Sequence, residues 1–134
     1  MNLKKVIPRL IIVVIVVFIL ASKIGGDKPL KNLNYENIDE IQLVSFSNNN
    51  GVNLDDETDI KKITRIIKKI HTTRETNKNI NASNLYYIKV FLDDGSKIEV
   101  IDSDPYLSID GKWYEVDKKI FTDLRGLYKT YLNK

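Results

Sequence analysis

The spacing of apolar residues changes along this chain, and each change marks an element. From Ile38 to Phe46, Ile41, Leu43 and Ser45 share one face and Gln42, Val44 and Phe46 the other. That period of two, with β-branched residues, predicts a strand. Asn48-Asn49-Asn50-Gly51 supplies residues that tolerate positive φ, so the chain turns there and returns as a short strand, Val52 to Leu54. The period then lengthens. Ile60, Ile63, Ile66, Ile67 and Ile70 recur at helical spacing and make one apolar stripe. Asp55 or Asp56 caps this helix; Asp56 with Asp59 is arranged like a capping box, and Glu57 adds charge that suits a helix N-terminus. The helix is expected from about Glu57 to His71. Thr72 to Asn84 has no period, is rich in Asn and Thr, and reads as a long loop.

Alternation resumes at Tyr86, with Tyr86, Ile88, Val90 and Leu92 inward. Asp93-Asp94-Gly95 makes the turn, with Gly95 left-handed. That register sets Ile88 opposite Val100, Val90 opposite Ile98, and Lys89 opposite Glu99 as an outer charge pair. After Pro105, the stretches Tyr106 to Ile109 and Lys112 to Val116 flank Asp110-Gly111, a two-residue hairpin signal. Leu107, Ile109, Tyr114 and Val116 then face the core. Asp117 caps a last helix whose apolar face is Ile120, Phe121, Leu124, Leu127, Tyr128, Tyr131 and Leu132; Gly126 within it is expected to permit close packing on the sheet. The order is β-β-α-β-β-β-β-α. It predicts an α+β domain, an antiparallel sheet with helices packed on one face. The same registers turn Tyr87, Phe91, Ile101, Tyr106 and Trp113 outward. Either another element covers them, the long loop or the leader-proximal strands, or they form an aromatic binding face, since Tyr and Trp are enriched at interaction hot spots.

The N-terminus has a different pattern. Leu10, Ile11, Ile12, Val13, Val14, Ile15, Val16, Val17, Phe18, Ile19, Leu20 and Ala21 form an unbroken apolar run behind Lys4, Lys5 and Arg9. A full membrane span needs about 20 residues, and this run reaches only about 18 Å as a helix. It is therefore an export-signal core, or a short anchor extended by Arg9 and Lys23 snorkelling to the headgroups. Residues 1–24 read as signal or anchor, 25–37 as a tether containing Gly25-Gly26 and Pro29, and 38–134 as one extracytoplasmic domain. The expected location is the cell membrane, single-pass, with the C-terminal domain outside, or secretion if the leader is cleaved. Lys4, Lys5 and Arg9 before the run nearly balance Lys23, Lys28 and Lys31 after it, so the positive-inside bias is weak.

The net charge of +3 misleads, because four of the 21 basic residues and none of the 18 acidic ones precede Asp27, leaving 17 against 18 from there on. A domain with net −1 lacks the basic surface that nonspecific nucleic-acid binding requires, and no nucleic-acid partner is expected. Lys61-Lys62 and Lys68-Lys69 read as a solvated helix face. The absence of cysteine excludes disulfides, thiolate metal sites and thiol-linked lipid. His71 is the single histidine, and local spacing offers it no nucleophile or orienting acid. Asp55-Asp56-Glu57-Asp59 lacks the spacing of a calcium loop, and Asp93-Asp94 and Asp102-Ser103-Asp104-Pro105 are turn chemistry. The chain is read as non-enzymatic, with no cofactor and no metal. The alternatives are an envelope hydrolase using Asp102 or Asp104 with His71, and an accessory subunit of a membrane complex facing the cytosol.

Several segments together carry a resemblance: Ile41-Gln42-Leu43, Ile60-Lys61-Lys62-Ile63, Thr73-Arg74-Glu75-Thr76, Tyr87-Ile88-Lys89-Val90 and Ile109-Asp110-Gly111-Lys112-Trp113-Tyr114-Glu115-Val116 behind an N-terminal anchor. The chain resembles, over most of Ile38 to Leu132, the small extracytoplasmic domains of unknown function in low-GC Gram-positive bacteria. The resemblance implies a location and brings no catalytic residues with it. Lys23 stands where lipoprotein members carry their lipid-bearing cysteine. The expected function is binding of a protein or cell-envelope partner by a membrane-tethered domain.

Overall fold

The computed structural model describes residues 27–77 and 85–132. These build an α+β fold of seven antiparallel strands and two helices. In chain order they are β1 (Ile38–Ser45), β2 (Asn50–Leu54), α1 (Glu57–Ile67), β3 (Thr72–Glu75), β4 (Tyr86–Leu92), β5 (Lys97–Ser103), β6 (Tyr106–Ile109), β7 (Lys112–Val116) and α2 (Lys119–Tyr131). The strands lie in the order β2-β1-β4-β5-β6-β7-β3. The run Leu10 to Ala21 and residues 78–84 of the long loop lie outside the described residues. Among the described residues, no helix is long and apolar enough to cross a membrane.

The alternating pattern determines the core. Ile41, Leu43, Ile88, Val90, Val100 and Leu107 are fully buried on one sheet face, and they join Ile63, Ile67, Leu124 and Leu127 from the helices in one cluster. The β4–β5 hairpin has the expected register, with Ile88 opposite Val100 and Val90 opposite Ile98. Lys89 and Glu99 pair at 4.0 Å on the other face. Gly95 turns at φ 88°, and Asp110 and Gly111 at 49° and 89°, as a two-residue hairpin between Ile109 and Lys112 requires.

The structure departs from the expected pattern in four places. Thr72 to Glu75, read as loop, is an edge strand paired with β7, Thr72 opposite Val116 and Glu75 opposite Tyr114. α1 ends at Ile67, four residues earlier than expected. There the Lys69 and Ile70 amides bond the Ile66 and Ile67 carbonyls, three residues back, and this tighter winding keeps Ile70 in the core as the chain leaves for β3. The segment read as a tether belongs to the fold from Asp27 onward: Asp27 bridges to Thr72, Leu30 is buried, and Tyr35–Asn37 form a 3-10 turn. Gly126 is not a packing contact, because a Cβ there would meet nothing within 4 Å.

The caps follow the acidic signals, with shifts. The Asp56 carboxylate accepts from the Thr58 and Asp59 amides at 3.1 and 3.4 Å. The Asp59 carboxylate accepts instead from the Tyr131 hydroxyl at 2.7 Å and ties α1 to α2. Asp117, expected to cap α2, stands one residue before the cap position, which Lys118 occupies without a side-chain bond; its carboxylate still accepts from the Lys119 amide at 3.1 Å.

Candidate functional site

Residues directly opposite one another in a ladder share a face, so the registers place the outward side chains. Val44 pairs with Tyr87, Tyr87 with Ile101, Ile101 with Ser108, and Ser108 with Trp113. Tyr87, Ile101 and Trp113 thus share one row across five strands, about 19 Å long at the usual strand spacing. Phe46, two residues beyond Val44, brings its ring to 5.7 Å from the Tyr87 ring and is 64% exposed. Phe91 lies on the same face, separated from Tyr87 by Lys89, and Tyr106 lies two residues from Ser108, opposite Glu115. None of these apolar residues belongs to the core cluster or to the side chains packed on it. All five expected outward residues share this face and are half-buried; Tyr87 and Ile101 are neighbours, and Ser108 separates Ile101 from Trp113. Val44 and Phe46 extend the strip; their alternation with Leu43 and Ser45 was the signal for them.

Within the row, Ser108 is a short side chain between Ile101 and Trp113. It is 1% exposed, and its hydroxyl has no hydrogen-bond partner among the described residues. A buried hydroxyl without a partner costs about 1–3 kcal/mol.

The core-facing side of the same strands carries a second polar group. Asp102 continues the inward parity of Ile98 and Val100 and is 5% exposed. Its Oδ2 accepts from the Tyr128 hydroxyl at 2.8 Å, and the Tyr128 ring stacks on Tyr86 with centroids 3.9 Å apart. Burial pushes the Asp102 carboxyl up to about 6 and the nearby Asp104 charge adds to this, against the hydrogen bond from Tyr128. Burial, and then the Asp102 charge, hold the Tyr128 hydroxyl well above its ordinary range. Ser45, opposite Tyr86, is also buried with a hydroxyl unpartnered among the described residues. This niche can hold a proton near neutral pH.

The residues of the hydrolase alternative do not converge. The row of Asp102 runs through Leu107 and Tyr114 to Glu75 on β3. That is three strand spacings, about 14 Å, and His71 lies four residues further along, roughly 13 Å. A general acid and base must reach one substrate. The His71 carbonyl accepts from the Asp117 amide at 2.9 Å, and Asp104 pairs with Arg125 at 3.2 Å. Among the described residues, no group of three or more His, Cys, Asp or Glu side chains could hold a metal.

Comparison with known proteins gives no match: no family model, no curated protein and no solved structure matches the chain.

Proposed function

We propose that this protein is a membrane-tethered extracytoplasmic domain of the kind found in low-GC Gram-positive bacteria, and that it binds a protein or envelope partner through the outer face of its sheet. The observation that carries this reading is the strip Phe46, Tyr87, Ile101 and Trp113, whose apolar side chains stand outside the core on the opposite side of the sheet. Tyr87, Ile101 and Trp113 are half-buried and Phe46 is exposed, and apolar side chains left outside the core on a small domain favour an interaction site. Tyr and Trp supply large contact area at small entropic cost. The leader Leu10 to Ala21 supports delivery to the membrane, and the near-neutral charge of the rest supports a partner that is not nucleic acid.

Membrane fractionation with protease added to intact cells tests the location. The reading expects the chain in the membrane fraction, with a C-terminal tag removed from outside. A tag that survives in intact cells and is cut only after lysis would favour the second reading, a cytosol-facing accessory subunit, which the near-even charges flanking the leader support. A chain found only in the soluble cytosolic fraction would overturn both.

A further inference from the structure

We propose that the groove between residues 31–35 and α1 is where the domain rests on an anionic membrane surface, its cations receiving the phosphates of lipid headgroups. This deepens the function proposed above and rests on the reading of residues 1–24 as a membrane segment.

The groove is open, about 590 Å³, and its lining includes Lys31, Tyr35, Lys61, Arg65 and Lys68 but no acidic residue. Lys61, Arg65 and Lys68 follow one another at four and then three residues, so they form one stripe along α1 beside the buried Ile60, Ile63 and Ile67. Like charges at i and i+4, as in Lys61 and Arg65, repel. Among the described residues, none of these three helix cations is in an ion pair; the pairs present are Arg74–Glu115, Lys89–Glu99 and Arg125–Asp104. The acids of this side are segregated. Glu36, Asp55 and Glu57 line a neighbouring depression, and Tyr35 borders both. Lys61 Nζ sits 4.9 Å from the centre of the Tyr35 ring, so an aromatic of the kind favoured at membrane interfaces stands among the cations.

Chain geometry supplies the membrane. Asp27 is fastened to Thr72 by two backbone hydrogen bonds of 2.9 and 2.7 Å, and Leu30 is buried in the core. Only Gly25 and Gly26 separate Asp27 from Ile24. At the maximal reach of an extended chain, the domain begins within about 11 Å of the end of the leader. The groove begins four residues later, at Lys31. A leader in the bilayer therefore holds these cations near the headgroup layer, and the attraction of basic residues to an anionic leaflet acts over about a Debye length. A nucleic acid is the poorer occupant, since four cations on a domain of net −1 offer little to a long polyanion.

The native chain has no cysteine, so Asn32→Cys, at an exposed position lining the groove, carries a single polarity-sensitive dye. The full chain is reconstituted into vesicles of phosphatidylcholine alone or mixed with phosphatidylglycerol, and both preparations are floated. The proposal expects flotation with both lipids and a blue-shifted dye only with phosphatidylglycerol. It expects Arg65→Gln/Lys68→Gln to lower the docked-to-free ratio about twenty-five-fold, at roughly fivefold per charge. Lys118→Gln/Lys119→Gln, at the start of α2, should leave the ratio unchanged. Flotation with both lipids and no difference in dye spectrum would overturn the docking and spare the leader; flotation with neither would overturn both. Docking is also overturned if inorganic phosphate gives the same shift in neutral vesicles, if a single-stranded oligonucleotide displaces the docked state, or if the double variant docks as well as the native chain.

Discussion

Asp102→Asn should stabilise this protein at neutral pH and do little at pH 4. The carboxyl is 5% exposed and titrates at about 6 in the folded chain, against 3.8 when unperturbed. The folded state therefore holds the proton more tightly than the unfolded state. The contribution of this group to stability is complete below 3.8 and is lost as pH rises through about 6. This is opposite in sign to the usual salt-bridged carboxylate. A difference of about two pKa units corresponds to about 3 kcal/mol at pH 7.5. Asparagine retains an oxygen for the Tyr128 hydroxyl and cannot ionise. For a domain of about 100 residues, 3 kcal/mol corresponds to a melting shift of about 10 °C or more. Trp113 is the single tryptophan, so its fluorescence can follow urea or thermal unfolding of both proteins in neutral detergent between pH 4 and 8. The expected difference in stability opens between pH 4 and 6.5 and then levels off. A difference independent of pH, or one that favours the native chain above pH 7, would refute the assignment of burial as the dominant influence on Asp102. Tyr128→Phe provides the companion test. It removes the hydrogen bond to the carboxylate, so its penalty of about 2 kcal/mol should be larger at pH 7.5 than at pH 4.

Three further substitutions probe other parts of the account by the same unfolding measurement. Gly126→Ala, in α2 with open space around the new methyl, should add about 0.5–1 kcal/mol, and a loss would mean that the helix packs more closely there than described. Ser108→Ala should be neutral or stabilising by about 1 kcal/mol, since its hydroxyl has no partner to lose; clear destabilisation would reveal one. Asp56→Ala should cost about 1 kcal/mol by freeing the Thr58 and Asp59 amides, and Asp56→Asn should recover most of it.

Elements that bury a whole face were legible in the sequence. The isoleucine stripe of α1, the alternation of β4 and β5, and the Asp110-Gly111 turn each carry their own period or turn chemistry. β3 carries neither. Only Thr72 of its four residues is buried, so Thr72-Thr73-Arg74-Glu75 shows no alternation, and its strand form comes from the hydrogen bonds that β7 offers. Residues 27–37 misled for a similar reason: Pro29, and Gly25-Gly26 just before the segment, suggested a linker, while Leu30 and the bridge from Asp27 to Thr72 anchor it through distant partners. The outer strip followed from strand parity, including Val44 and Phe46. The same parity turned Asp102 inward, but its partner Tyr128 lies 26 residues away, and helix packing alone brings the two together. The cationic groove was beyond local reading for the same reason. Lys61-Lys62 and Lys68-Lys69 read as a solvated helix face, and only the folded chain sets Lys31 in one groove with Lys61, Arg65 and Lys68.

The most direct test of the central claim is photo-crosslinking in living cells, with the photoreactive residue placed at Trp113 of the full chain and, as a control, at the exposed Thr122 on α2. The account predicts a discrete adduct from Trp113 that disappears when Tyr87→Ser and Ile101→Ser are added to a chain whose unfolding remains normal, and none from Thr122. No adduct at Trp113, or an adduct indifferent to Tyr87 and Ile101, would contradict a partner bound on the outer face of the sheet.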